Sequence, residues 1–363
     1  MPRNYIAVDL FAGGGGLTVG LKNAGFKVAV AVENESHAVA TYKANHPEVH
    51  VFKQDIRQIR PEDILERVPG GRVHLLTGCP PCQSFSSLTS KHKGRIDERD
   101  SLILEVARLA EGLRPSAVMV ENVPGLRHDE NRYFKQFRDR LTAMGYQLTW
   151  GVLQVADFGV PQFRRRLVLM AGRGFEIELP APTHSRDGDG GRPAWLTLRD
   201  AIGTSEAPLS LSEARKRGGP SAVGWHVIRD MRPITVARFN SIKAGENRTR
   251  LPENLRPGCH RASDTGFTNV YGRMTWHQTP VTITAGCLTA STGRFGHPDE
   301  PRTISLREAA TIQTFPEDYI FDTDEIKWAT TIVGNAFPCK FAAKLGESCI
   351  DALAVATDAG GET

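Results

Sequence analysis

The stretch Tyr5-Ile-Ala-Val-Asp9-Leu-Phe-Ala-Gly13-Gly-Gly-Gly16-Leu17 runs from an apolar segment into four adjacent glycines. Residues 5–10 predict a short β-strand. Residues 17–24, closed by Gly25, predict the helix that follows. A loop of glycines lets a ligand approach the backbone closely, because glycine has no Cβ. The helix N-terminus behind it favours a negative group such as a carboxylate or phosphate. Four glycines also suit a plain structural turn, so the loop alone leaves both readings open. A nicotinamide dinucleotide fingerprint needs glycines at i, i+2 and i+5. Here Gly13 and Gly15 are followed by Thr18, and Gly14 and Gly16 by Val19, so that fingerprint fails.

Outward from this unit the first half of the chain alternates. Residues 28–32, 73–77, 117–120 and 167–171 predict strands, and residues 36–45, 102–113 and 134–144 predict helices. Pro115 stops the second of these helices and Gly145 follows the third. Strands alternating with helices define the α/β class, here a doubly wound, Rossmann-like parallel sheet covered on both faces. From about residue 180 Gly, Pro, Arg and Ser dominate and the rhythm is lost. Helical spacing returns near Leu306, and residues 336–353 predict a packed helix with Phe341, Leu345 and Ile350 inward. The expected organisation is one domain from 1–178 and 325–363, with a smaller irregular domain and hinge at 179–324 inserted into it.

The chain has 363 residues, 40% of them hydrophobic and 24% charged, the balance of a globular protein with a real core. A formal net charge of +4 is compatible with a polyanionic partner without establishing one. No apolar run approaches a membrane span, and Asp9 with the glycines breaks up the only apolar stretch near the N-terminus. A cytoplasmic protein is expected. Six cysteines in so long a chain do not make a disulfide framework.

Three further segments carry candidate chemistry. Glu33 ends the second strand about 20 residues after the glycine loop, where an acid can bind ribose hydroxyls. Asp55 follows what reads as a third strand. Gly78-Cys79-Pro-Pro81-Cys82-Gln-Ser leaves the strand at 73–77, and in this fold loops at strand carboxyl ends hold the ligand. Cys79 and Cys82 form a C-x-x-C. A zinc site would want a second pair, which Cys259, Cys287, Cys339 and Cys349 do not offer. A redox dithiol fits the spacing but leaves the glycine loop unexplained. The reading favoured is Cys82 as nucleophile and Cys79 as structural, against the plain alternative of small buried side chains. Glu121, in Val120-Glu121-Asn122-Val123-Pro124, stands at another strand end, where capping or solvation is the ordinary explanation. In Gln162-Phe-Arg164-Arg165-Arg166, alternation puts Arg164 and Arg166 on one side of an extended segment, suited to a phosphate or a carbonyl oxygen, although a solvated basic run reads the same.

Together these motifs resemble the cytosine-5 DNA methyltransferase family, in its bacterial, restriction-modification type. The resemblance runs in order through Asp9 to Gly16, Glu33, Asp55, Pro81-Cys82-Gln83, Glu121-Asn122-Val123 and Gln162-x-Arg164-x-Arg166. It continues through Arg302 to Glu308, Gln313-Thr-Phe-Pro316 and Gly334-Asn335-Ala-Phe-Pro338. It implies S-adenosylmethionine as cofactor, with S-adenosylhomocysteine as product and no metal. Phe11 would stack on the adenine, and Gly13, Gly15, Gly16 and Leu17 would hold the amino-acid end. Glu33 would take the ribose, Asp55 the adenine amino group, and Ile56, Pro81 and Asn335 the rest of the pocket. Asn34 stands where the family often has a bulky residue, and Gln54 where a glycine is common.

The implied chemistry starts with Cys82 adding to C6 of a cytosine flipped out of duplex DNA. Glu121 would bind the ring edge, and Arg164 and Arg166 would steady the base, its phosphate and the cysteine loop. Residues 87–100, with Lys91, Lys93, Arg95 and Arg99, are expected to close over the DNA, the alternative being a surface loop. The inserted domain would read the DNA sequence, with Arg238, Asn240, Lys243, Asn247, Arg248, Arg250, Arg273 and Arg294 as candidate contacts and Arg302 to Glu308 orienting it. A monomer is implied, with a restriction endonuclease of the same site as a possible partner. Two rivals remain. One is a transfer-RNA cytosine-5 methyltransferase of the same family, whose cys-phe-thr tripeptide is absent here. The other is an inactive DNA-binding relative, against which the presence of Cys82 and Glu121 argues.

Overall fold

The structure is a computed structural model that describes residues 4–81, 98–128, 132–260 and 267–358. In chain order its elements begin with β1 (Ile6–Leu10), α1 (Gly16–Ala24), β2 (Lys27–Val32), α2 (Ser36–Asn45), β3 (His50–Phe52), α3 (Pro61–Leu65) and β4 (Leu75–Gly78). Then come α4 (Ile103–Leu113), β5 (Ala117–Asn122), α5 (Tyr133–Ala143), β6 (Tyr146–Gln154) and β7 (Arg165–Arg173). They are followed by α6 (Leu198–Ile202), β8 (Leu209–Ser210), α7 (Leu211–Lys216), β9 (Val227–Ile228) and α8 (Pro233–Asn240). The last are α9 (Leu306–Ile312), α10 (Ile326–Asn335) and α11 (Cys339–Asp358). Packing divides the chain into two compact units. One holds Met1–Phe158, Arg165–Thr183 and Phe337–Thr363, and the other Gly159–Arg164 and His184–Ala336.

The first unit is built on a seven-stranded sheet of order β3-β2-β1-β4-β5-β7-β6. The first five strands are parallel, and every residue of β1 is buried, as a strand covered on both faces requires. The expectation of a wholly parallel sheet is corrected at its far edge, where β7 runs antiparallel to both β5 and β6. A parallel pair needs a crossover of a dozen or more residues. Between β6 and β7 stand only residues 155–164, with a single 3-10 turn at Val155–Phe158.

The helices pack by the same logic. In α4 the buried residues Ile103, Val106, Ala107, Ala110 and Leu113 recur every three or four positions and make one apolar face. Each buried Ile, Val or Leu among them contributes about 1.5–3 kcal/mol. In α11 Phe341 and Leu345 are fully buried, and Ile350 is half-buried. Chain order reverses between β1 and β4, because the strands run outward from β1 to β3 and then resume on the other side at β4. That reversal is the position at which an open α/β sheet binds its ligand.

The second unit is mostly short helices and turns around Trp225, Phe239, Ile283, Ile304, Leu306 and Phe321, all at most 1% exposed. Its regular pairing is the two-stranded β8-β9 sheet. Buried polar groups join segments remote in sequence. Gln162 Nε2 donates to Gln313 Oε1 at 2.7 Å, and Gln162 Oε1 accepts from the Ile283 amide at 2.9 Å. Gln313 Nε2 reaches the Val333 carbonyl at 2.8 Å. With so little regular structure, such bonds must satisfy backbone groups that a sheet would otherwise pair.

Candidate active site

The loop after β1 is shaped by backbone conformation. Phe11, Gly13 and Gly15 have φ of 56°, 55° and 92°, the left-handed region that glycine enters freely and Phe11 does not. Three bonds hold the turn. The Ala12 amide reaches the Val32 carbonyl at 3.1 Å, the Gly15 amide the Ala12 carbonyl at 3.0 Å, and the Gly13 amide Glu33 Oε2 at 2.9 Å. Glu33 Oε1 also accepts from the amides of Asn34 and Glu35, at 2.9 and 2.8 Å. One carboxylate thus knits the glycine loop to the end of β2. Gly15 caps α1, and Gly16 and Leu17 are buried in its first turn.

Asp55 comes three residues after β3 and caps the 3-10 turn Ile56–Gln58, accepting from the Arg57 amide at 3.0 Å. The Arg57 guanidinium, 2.6 Å away, holds the Asp55 carboxyl below the usual carboxylate range. Ile56 is buried, and its carbonyl accepts from Arg108 at 2.9 Å.

The cysteine loop leaves β4 directly beside the glycine loop, since Leu10 and Gly78 are register partners. A Cβ on Gly78 would lie 2.7 Å from the Leu10 carbonyl oxygen, so only glycine permits this approach. Asn122 at the end of β5 donates from Nδ2 to the Pro80 carbonyl at 3.0 Å and anchors the loop to a second strand. Cys79 and Pro81 are half-buried. Cys82 and most of the expected closing segment lie outside the described residues. Cys287, Cys339 and Cys349 are fully buried, and burial pushes their thiols up, to about 12 for Cys287 and Cys349. That is the opposite of what a thiolate nucleophile needs.

Glu121 and Arg166 meet within this unit. Arg166 Nε lies 2.5 Å from Glu121 Oε1, with the two side chains only 15% and 12% exposed. Among the described residues Glu121 Oε2 carries no hydrogen bond. Arg165 is exposed. Arg164 belongs to the other unit, is 4% exposed, and donates to the carbonyls of Ile283 and Gly334 at 3.3 and 3.5 Å. Asn335 is exposed at the last residue of α10, in the same unit as Arg164.

Sequence reasoning missed two features. In sequence Asp9 is a break in an apolar run and the start of the glycine motif, with no role of its own, yet it is fully buried, with Oδ2 accepting from Thr18 Oγ1 at 2.7 Å. An acid flanked by strand residues that all face the core is the signal that marks it. Asn122 was read as part of a motif, and its amide is what holds the cysteine loop. Among the described residues no group of three or more His, Cys, Asp or Glu is arranged to hold a metal.

Fold and site define an α/β enzyme with a glycine loop at the carboxyl edge of its sheet, next to a cysteine loop and a buried Glu–Arg pair. The chain belongs to the C-5 cytosine-specific DNA methylase family, whose sequence pattern matches residues 5–351, and it is a DNA cytosine-5 methyltransferase. It is 34% identical over 336 residues to the Type II methylase M.HgiDII of Herpetosiphon aurantiacus, covering 91% of each chain. It is 30% identical over 346 residues to the Type II methyltransferase M1.HphI of Haemophilus parahaemolyticus, covering 94% of this chain and 86% of that one. The crystal structure of the S. pombe Dnmt2 methyltransferase superposes with a TM-score of 0.64 at 18% identity, covering 96% of this chain and 99% of that one, a likeness of fold. No helix among the described residues is long and apolar enough to cross a membrane.

Proposed function

We propose that the chain transfers a methyl group from S-adenosylmethionine to carbon 5 of a cytosine flipped out of duplex DNA, with Cys82 as the nucleophile. The observation that supports this best is the Glu121–Arg166 pair at the end of β5, one residue from the Asn122 grip on the loop that leads into Cys82.

The residues present suit the cofactor. A Cβ on Gly13 would meet nothing within 4 Å, so the loop fronts open space. Glu33 has three backbone donors for about four lone-pair sites, which leaves one for a ribose hydroxyl. Phe11 and Pro81 offer partly exposed apolar surface, Asp55 an acceptor, and Gly15, Gly16 and Leu17 the helix N-terminus, while Ile56 is buried and is assigned to the pocket by resemblance. Asn335 is assigned to the same pocket by resemblance alone. When bound, S-adenosylmethionine supplies an electrophilic methyl group on a sulfonium.

The chain's own groups do the rest. The Cys82 thiolate adds to C6, and the electron pair displaced from the C5–C6 double bond makes C5 the nucleophile that takes the methyl. A base then removes the C5 proton, the S–C6 bond breaks and the thiolate is released. Glu121 engages the N3 edge of the ring through Oε2, while Arg166 holds Oε1 and fixes the carboxylate. Arg164 grips the Ile283 and Gly334 carbonyls within its own unit, and its part in steadying the base is assigned by resemblance alone. Flipping the base costs a few kcal/mol, which contacts to the base and phosphates must offset.

The relatives named as Type II enzymes favour duplex DNA and a restriction-modification setting. A cognate endonuclease, a monomeric state and a bacterial cytoplasmic location belong to the same reading. The test is radiolabelled methyl transfer to duplex DNA and to transfer RNA, with a covalent adduct on 5-fluorocytosine DNA scored on a denaturing gel. Label entering DNA, and an adduct that Cys82→Ser abolishes, supports the reading. Label entering only RNA, or an adduct that survives the substitution, overturns it. Bisulfite sequencing of DNA from expressing cells then gives the site.

A further inference from the structure

Helix α2 lies behind the glycine loop and buries polar groups. Ala38, Tyr42 and His46 recur every fourth residue and so share one face, with His46 just past the helix end. Tyr42 is fully buried and His46 only 3% exposed. Burying such groups is unfavourable unless they are bonded, and these are bonded to the flanks of the loop. Thr18 Oγ1 donates its hydrogen to Asp9 Oδ2 at 2.7 Å. The Tyr42 hydroxyl, also 2.7 Å from Thr18 Oγ1, is therefore the donor in that contact. The His46 ring packs edge-on against Tyr42 with centroids 4.9 Å apart and hydrogen-bonds the Gly15 backbone. Its Nδ1 stands 2.9 Å from Lys22 Nζ. An ammonium only donates, so Nδ1 accepts and the ring proton sits on Nε2.

These contacts bracket the loop. Asp9 stands one residue before the end of β1, Gly15 caps α1, and Thr18 lies in the first turn of α1. We propose that Tyr42 and His46 are positioning residues for the methyl donor: from α2 they hold both ends of the glycine loop in the shape that receives it. This rests on the reading that the loop binds S-adenosylmethionine. A loop that must order itself on binding loses affinity by the amount of that ordering, and one held in advance does not. Neither residue touches the ligand in this scheme, so their effect falls on cofactor affinity rather than on the chemical step.

The experiment is titration calorimetry of S-adenosylhomocysteine into the full chain, with thermal melting and methyl-transfer kinetics on the same samples. Tyr42→Phe should weaken binding about tenfold, the loss expected when one buried hydrogen bond of the relay is removed, and Thr18→Val, which removes both bonds of the Thr18 hydroxyl, by at least as much. The double variant should be no weaker than Thr18→Val alone, because that substitution already breaks the Tyr42 bond. The KM for S-adenosylmethionine should rise with kcat little changed, and Thr18→Ser, which keeps the hydroxyl, should bind like the parent. Lowered melting temperatures with unchanged affinity would mean a merely structural relay and overturn the proposal, as would additive losses. If Tyr42→Phe does not fold, the Val and Ser variants at position 18 decide. A parent chain that does not bind S-adenosylhomocysteine overturns the cofactor reading itself, an outcome distinct from variants that bind as the parent does.

Discussion

Arg166 Nε stands 2.5 Å from Glu121 Oε1, and this contact ties β7 to the end of β5 where the two strands run antiparallel. Both side chains are mostly buried, so each depends on the other. Removing one partner of such a pair leaves a charge desolvated and uncompensated, which is far more damaging than never having had the pair. We predict that Arg166→Ala lowers kcat at least 100-fold and also lowers the melting temperature. Glu121→Gln should lower kcat by a similar factor with a smaller change in melting, because the amide keeps its size and one acceptor. Methyl-transfer rates beside thermal melts test this, and near-parental kcat in Glu121→Gln would remove Glu121 from the chemistry.

Glu33 accepts three backbone amides, from Gly13, Asn34 and Glu35. In Glu33→Gln the side-chain amide must turn its N–H toward at least one backbone donor and leave that donor unbonded. The expected loss is about 1–3 kcal/mol of stability, together with weaker binding of S-adenosylhomocysteine. Urea unfolding and calorimetry measure the two effects separately. Unchanged stability would show that the three bonds are dispensable to the loop.

Strands β1, β2 and β4 were legible because each is a short apolar run that leads into glycines or an acid, and α1 and α4 because Gly25 and Pro115 follow them. The edge was not. β6 lacks clean alternation, with Gln147 and Trp150 exposed and Gly151 in the middle, and nothing in it states the direction of its partner. The site shows the same division. The order of Glu33, Glu121 and the arginines pointed to the family, but the roles of Arg164 and Arg166 differ because of distant contacts. Arg164 meets carbonyls more than 100 residues away in the chain, and no local pattern announces Ile283 or Gly334. Asp9 was hidden for the same reason, since burial is a property of the whole sheet.

Asp9 and His46 should oppose each other in the pH dependence of stability. Burial pushes the Asp9 carboxyl up to about 7; the Thr18 hydroxyl works against this, and the nearby Glu33 charge adds to it. Burial, and then the Lys22 charge, pushes His46 down to about 4, against the opposing effects of Glu48 and the Gly15 carbonyl. Between about pH 4 and 6.5 the folded chain keeps the Asp9 proton that the unfolded chain has released, so this group alone makes stability fall as pH rises. Over the same range the unfolded chain binds a proton at His46 that the folded chain refuses, so this group alone makes stability rise with pH. One proton on each side nearly cancels. Relative to the parent, Asp9→Asn should therefore gain a positive slope between pH 4.5 and 6.5, up to about tenfold in the folding constant per pH unit, and His46→Asn a negative one. Urea midpoints at several pH values test this, and slopes equal to the parent's in both variants would refute it.

Several arginines of the second unit that could have faced DNA are spent inside it. Arg248 is 2% exposed and donates to the Phe267 carbonyl at 3.1 Å. Arg273, 7% exposed, donates to the carbonyls of Phe239 and Ile242 at 3.0 and 3.1 Å, and to those of His297 and Pro298 at 3.0 and 2.6 Å. Its guanidinium thus closes the C-terminal end of α8, where a cation is favoured by the helix dipole, and ties that end to residues 297–298. Lysine has one nitrogen and cannot span these acceptors in a plane. Arg273→Lys should therefore destabilise the chain by about 2–4 kcal/mol through unsatisfied carbonyls. Asn240, Lys243 and Arg250 remain exposed. Because surface cations act on phosphates, Lys243→Ala and Arg250→Ala should leave melting unchanged and each reduce the salt slope of DNA binding by about one. Fluorescence anisotropy at several salt concentrations separates the two classes. An Arg273→Ala variant with parental melting and a salt slope reduced by about one would reverse the assignment and place that guanidinium on the DNA.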